Sequence, residues 1–275
     1  MSGYRTVAAA RGLAWITEGL GALRRDPAPY AGACVLVGLL TSMPLVGSVL
    51  GLLMPVFYAG LLALLRTRSE GGRGQVAQAF DGFKQPGAMA RLMPIVAFNL
   101  AFALAAVAIL AVAAGPDLVA IAQEAEAGGK PDPQRVLALV GRLVLPALAL
   151  MPVAAYVGWM QMLAIPRAML DGIAGVAALR EAAGAVWVNL GAFVLNLLGM
   201  MGLMFALVMV LMVPLALVGA MQPVAPALAF ALQVPLLAVF TGTIVGIYSV
   251  LMFQASREIF GVSTASPPTI DAIEV

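Results

Sequence analysis

Histidine is absent from the 275 residues, and cysteine occurs once, at Cys34. Without histidine there is no Ser-His or Cys-His catalysis, no histidine metal site and no histidine proton relay. One thiol makes neither an intramolecular disulfide nor a cysteine metal cluster, so Cys34 is read as packing. Charge is also scarce: 10% of residues are charged, against about 25% in soluble domains. The net charge of +2 is too small to point to nucleic acid. No Asp, Glu or Lys falls in the middle of a long apolar stretch, which argues against an ion-coupled carrier with a carboxylate relay. No catalytic centre and no cofactor are expected.

Apolar length is abundant. Hydrophobic residues make up 63% of the chain, and mean hydropathy is +1.02. Tyr30 to Leu65 contain no charge at all. One helix of that length would run ~54 Å, against a ~30 Å hydrocarbon slab, so the run must fold back. Four more apolar stretches follow, at Leu92 to Ala114, Val136 to Pro166, Val186 to Ala220 and Val224 to Gln254. A hairpin turn at Ser42 to Gly47 and one span per later stretch give an all-α, six-span transmembrane bundle. Its expected divisions are residues 1–29 as a cytoplasmic segment, 30–260 as the membrane domain and 261–275 as a disordered cytoplasmic tail.

The positive-inside rule orients that bundle. Arg5, Arg11, Arg24, Arg25, Arg66, Arg68, Arg73, Lys84, Arg91, Arg167, Arg180 and Arg257 fall on one side, and only Lys130, Arg135 and Arg142 on the other. The first side is assigned to the cytoplasm, with both termini there. Gly115 to Arg135 becomes the main external loop. Met212 to Pro226 reads either as an apolar turn or as a broken segment. The opening MSGYRTVAAARGLAWITEGL lacks a signal peptide's h-region and cleavage site, so the N-terminus is expected to be retained.

A unit of short amphipathic helix followed by a span occurs three times: GLAWITEGLGALRRDPAPYAGACVLVG, GQVAQAFDGFKQPGAMARLMPIVAFNL and GIAGVAALREAAGAVWVNLGAFVLNLL. In the first, Leu13, Ile16, Leu20 and Leu23 form a stripe opposite Arg11, Glu18 and Arg25; in the second, Val76, Phe80 and Phe83 oppose Asp81 and Lys84. Such helices are too short and polar to span and belong in the interface. They define either a threefold pseudo-repeat or the amphipathic approach that any re-entry into a membrane needs.

Polar groups inside the apolar stretches are mainly amides and hydroxyls: Asn99, Gln161, Asn189, Asn196, Gln233, Thr241 and Thr243. Cross-helix hydrogen bonding is their ordinary role. If they line a site, Asn99, Gln161, Asn196 and Gln233 are its candidates. Arg142, one to two turns inside its span, is read as snorkelling outward. Gly38 with Ser42, Gly47 with Gly51, and Gly242 with Gly246 are small pairs that suggest packing seams. Prolines 44, 55, 94, 146, 152, 214, 226 and 235 permit kinks. Met200, Met201, Met204, Met209 and Met212 could offer thioethers to Cu(I), but packing is the favoured reading. Arg24, Arg25, Arg66, Arg68 and Arg73 flank the first hairpin and are candidate contacts for anionic lipid head groups.

The order GLAWITEGLGALRRDP, MPLVGSVLGLLMPVFYAGLLAL, AFDGFK and ALREAAGAVWVNLGAF resembles uncharacterised six-pass inner-membrane proteins of proteobacteria. These are similar to YciC-like proteins and to the membrane domain attached to some glycerophosphodiester phosphodiesterases. The resemblance implies six helices, an inner-membrane location and no established activity. The expected function is non-enzymatic binding of membrane lipids, anionic ones included, or of a membrane-protein partner or second copy. The alternative is a transporter or channel for an apolar or neutral solute.

Overall fold

The computed structural model describes residues 3–23, 27–43, 46–126 and 132–261, and within them every regular element is helical. Arg24, Arg25 and the expected tail at 262–275 lie outside the described residues. In chain order the elements are α1 (Arg11–Leu23), α2 (Ala28–Ser42), α3 (Val46–Leu52), α4 (Met54–Ser69), a 3-10 turn (Val76–Phe80), α5 (Asp81–Lys84), α6 (Ala88–Glu126), α7 (Pro133–Leu170), α8 (Gly175–Val188), α9 (Leu190–Met221) and α10 (Pro226–Phe260).

Four helices, α6, α7, α9 and α10, are long and apolar enough to cross a membrane. Their 39, 38, 32 and 35 residues correspond to ~48 to 58 Å. This is an all-helical chain built as an integral membrane protein. The first apolar run does fold back, but its arms α2 and α4 hold only 15 and 16 residues and are joined through the short α3.

Two sequence expectations need correction. Within the expected loop Gly115 to Arg135, the stretch Gly115 to Glu126 is helical: α6 continues through Pro116 to Glu126, and α7 starts at Pro133, capped by Asp132 Oδ1, which accepts from the Gln134 amide. A proline costs the helix one hydrogen bond but does not end it when the flanking turns are good helix formers, as Ala and Leu are here. The second amphipathic unit is not one helix but a 3-10 turn followed by the single turn of α5, with Gln75 and Gln78 closing a capping box. Met212 to Pro226 resolves as a turn: α9 runs through Pro214 to Met221, and α10 opens with Pro226, which needs no N–H partner there.

The buried residues gather at the end of the bundle rich in arginine. Leu61, Leu62, Leu64, Leu163, Ile165, Leu251 and Met252 are at most 1% exposed, whereas Val112, Leu145, Val210 and Val213 on the far halves are 65% or more exposed. Inner helices α4, α7 and α10 pack on one another, and α2 lies along α10. That last seam depends on glycine: a side chain on Gly38 would overlap the backbone of Ala238 and Gly242. Tyr30 donates its hydroxyl proton to the Gly246 carbonyl, 2.7 Å away, and Ser42 lies 3.4 Å from the Thr241 hydroxyl. The α2 tip is therefore level with Thr241, and α10 continues another fifteen residues, ~22 Å, to Pro226.

The amphipathic elements close the arginine-rich end in a cyclic order. α1 rests on α9 and α10, the 76–84 segment on α2 and α4, and α8 on α6 and α7. Each thus packs on the hairpin before its own in the cycle. Gly12 against the Ala192 carbonyl, Gly82 against that of Val56 and Gly175 against that of Arg91 permit the three close approaches.

Candidate functional site

The candidate amides do not converge. Gln161 Nε2 donates to Asn99 Oδ1 at 3.1 Å, joining α7 to α6. Farther along the same hairpin, Arg142 pairs with Asp117 at 3.0 Å and Arg135 with Glu124. All three pairs fit one antiparallel register, so Arg142 lies outward and also finds a partner. Asn196 Nδ2 donates to the Gly12 carbonyl at 3.1 Å, fastening α1 to α9. Gln233 stands on α10, away from the other three, and makes no hydrogen bond to another described residue.

Asn189 does more than a span amide ordinarily would. It is 2% exposed, accepts from the Val7 amide at 2.7 Å, and donates to the Arg5 and Ala185 carbonyls at 3.0 and 2.9 Å. The side chain thereby treats residues 5 and 7 as a strand partner would. α1 is held on its other flank by Glu258, which accepts from Arg11 at 2.7 and 2.8 Å and from Trp15 Nε1 at 2.7 Å. Glu258, and after it Glu18, hold the Arg11 guanidinium's pKa above its ordinary value through these hydrogen bonds.

The candidate head-group arginines divide. Arg66 and Arg68 are two residues apart on α4 and so diverge by ~200°. Arg66 pairs with Glu70 at 3.0 Å and donates to the Leu170 carbonyl at 3.0 Å, whereas Arg68 stands 6.0 Å from the centre of the Tyr30 ring. Arg73 is exposed in the loop beyond α4. Arg66 and Arg68 thus face different neighbours.

Two concavities stand out. A lateral groove of about 200 Å³ lies where α1, α2 and α10 meet, walled by Leu20, Ala31, Val35, Gly242 and Ile247. An axial pocket of about 150 Å³ lies where α4, α7 and α10 end, lined by Arg66, Ser69, Glu70, Asp171, Ser256 and Arg257 among others. Neither contains any of the four candidate amides.

The axial pocket shows a regularity that sequence reading missed. Arg66, Arg167 and Arg257 each stand three residues before the last residue of their helices. Gly71, Gly172 and Gly261, all at positive φ, follow those helices, and glycine takes that left-handed conformation without strain. Arg66 reaches Leu170, the last residue of α7; Arg167 lies 4.5 Å from the centre of the ring of Phe260, the last residue of α10. Arg66 and Arg167 also hold acids at i+4, Glu70 at 3.0 Å and Asp171 at 2.5 Å. The readable signal was Arg-x-x-x-Glu-Gly and Arg-x-x-x-Asp-Gly, with Arg-x-x-x-Gly in third place.

Methionine geometry gives a further correction. Met200 packs against the core, but Met201 is 59% exposed on another face of α9 and does not pack in the bundle. Among the described residues, no group of three or more His, Cys, Asp or Glu could hold a metal ion. No family model matches the chain, and no match is found among curated proteins or solved structures.

Proposed function

We propose that the protein is a non-enzymatic integral protein of the bacterial inner membrane that binds a lipid acyl chain in the lateral groove, with its arginine-rich end and both termini in the cytoplasm. The observation that carries the reading is the groove itself: an apolar recess open to the side, at the foot of helices whose far halves offer apolar faces. A transport path lined by Asn99, Gln161, Asn196 and Gln233 is less well supported, because the first two satisfy each other and the third binds the α1 backbone.

The membrane level follows from the outer ends. Val213, Leu217, Val224 and Phe230 are 64% or more exposed, and leaving them in water would cost about 25 cal/mol per Å² of apolar surface. Placing the slab edge at the 222–225 turn puts the inner edge ~20 residues along α10, near Gly246. Asp117 and Arg142 then sit at the outer edge and α1 at the inner one. On that placement α2 and α4 form a re-entrant hairpin whose α2 tip ends about a quarter of the way across. The six crossings implied by the resemblance to YciC-like proteins become four plus this hairpin, and an even count keeps both termini on one side. The cyclic packing of the three amphipathic elements supports the threefold reading of the sequence.

Native mass spectrometry of protein released from membranes tests lipid binding. Ala31→Trp fills the groove from an exposed position, and the expected outcome is loss of the phospholipid that the parent protein retains. Equal retention would refute the groove as the site. Flux of a neutral solute in proteoliposomes, abolished by Asn99→Leu with Gln161→Leu, would favour the transport reading instead.

A further inference from the structure

Of the three matching arginines, Arg257 alone lacks the acid: position i+4 is Gly261. Among the described residues it makes no ion pair, and its guanidinium stands over the Phe253 ring of its own helix, 5.2 Å from the centroid. Its neighbour Ser256 is 7% exposed, yet its hydroxyl bonds no other described residue. Both line the axial pocket, so two adjacent donors face the same 150 Å³ space. Ser69 on the facing wall already donates to the Arg66 carbonyl at 2.8 Å.

The opposite wall has the reverse character. Glu70 and Asp171 carry carboxylates whose remaining lone pairs can accept further hydrogen bonds. The C-terminal ends of α4, α7 and α10 all add partial negative charge around the pocket from their last carbonyls. A bare polyanion would be attracted to Arg257 and repelled by this wall. A small zwitterion satisfies both.

We propose that the axial pocket binds a phosphoethanolamine-type zwitterion, its phosphate on the Arg257 guanidinium and Ser256 hydroxyl and its ammonium toward Glu70 and Asp171. Phosphate suits the donor side, because a guanidinium fork and a hydroxyl can engage different oxygens of one tetrahedral anion. This site is separate from the lateral groove and does not depend on acyl binding there. The same chemistry has two sources, a soluble phosphate ester or the head group of a phospholipid.

The test is calorimetric titration of O-phosphoethanolamine into the full chain in phosphatidylglycerol nanodiscs, with inorganic phosphate as the comparison ligand. The parent protein should bind phosphoethanolamine more tightly than phosphate. Arg257→Gln should weaken it by about 10- to 100-fold, the range for losing a charge-assisted hydrogen bond, and Ser256→Ala by less. Repeating the titration with phosphatidylethanolamine in the nanodisc separates the sources: a suppressed signal assigns the site to the lipid head group, and an unchanged one to the soluble ester. Absence of phosphoethanolamine binding to the parent protein in the glycerol-lipid discs would overturn the proposal. So would equal affinity for inorganic phosphate, or affinity unaltered in both variants. Ala31→Trp should leave this titration unchanged, so failure of the groove reading is distinguishable from failure here.

Discussion

Replacing Asn189 with leucine keeps the side chain's approximate volume and removes all three of its hydrogen bonds. Two of them, to the Val7 amide and the Arg5 carbonyl, are what this residue contributes to holding the N-terminal segment. At about 1 kcal/mol net for each, opening of that segment should become ~2 kcal/mol easier, a ~30-fold shift in its opening equilibrium. A further penalty of about 1–3 kcal/mol applies if the Val7 N–H stays desolvated without a partner, which drives the segment outward. Hydrogen exchange reads this directly, since the Val7 proton is the one in the bond. Exchange at Val7 should accelerate by one to two orders of magnitude, and at Arg5, whose amide donates to the Ile259 carbonyl at 2.7 Å, by a comparable factor if the segment opens as a unit. Amides in α6 should be unaffected. A Val7 rate within about threefold of the parent, in a protein with intact helix content, would refute the claim that Asn189 holds this segment.

A double-mutant cycle on Asn99→Leu and Gln161→Leu should give a coupling of ~0.6 to 2 kcal/mol in steric-trap or denaturant unfolding, and zero coupling would mean that the hydrogen bond is not formed in the membrane. Gly38→Leu should destabilise by more than ~3 kcal/mol, because the new side chain meets the backbone of α10, which has no rotamer to yield; an unchanged unfolding midpoint would contradict the α2–α10 seam. In a Cys34→Ala background, impermeant thiol reagents applied to spheroplasts should label Gly128→Cys but not Ser69→Cys. They should also leave Gly51→Cys unlabelled, because a re-entrant tip does not reach the outer surface; labelling there at the Gly128→Cys rate would restore two full crossings. Stoichiometric, high-affinity Cu(I) binding lost on replacing Met200, Met201 and Met204 with leucine would refute the copper-free reading of α9.

Helix class and the fold-back of residues 30–65 were legible in the sequence because both follow from one-dimensional quantities, charge-free length and rise per residue. The outer ends were misread for the same reason. Gly115, Pro116 and Asp117 look like a loop opening when taken in order, yet Asp117 is held by Arg142 across the hairpin, and that pairing is invisible until α6 and α7 lie side by side. The cross-helix bonding of the amides was legible from residue type, but their partners were not, since Asn196 and Asn189 bond to backbone atoms of residues 5 to 12, and main-chain partners leave no mark in a sequence. Arg167 and Arg257 were counted only as topology signals. Their equivalence to Arg66 was present as a repeated spacing, but it lies at the ends of the inner helices, outside the amphipathic units that carry the more visible repeat.

The uneven distribution of packed mass along the bundle axis makes the molecule a wedge. At the arginine-rich end three hairpins and three amphipathic elements share the cross-section; beyond the first hairpin, the described residues continue as α6 with α7 and α9 with α10. On the proposed membrane placement, such a body displaces more lipid area from the cytoplasmic leaflet than from the opposite one. The bilayer must relieve that mismatch by bending toward the wide end or by recruiting lipids whose own shape compensates. Free energy of insertion thus becomes a function of local curvature, and the protein should concentrate where the membrane already has the matching sign of bend, with no contact to any partner required.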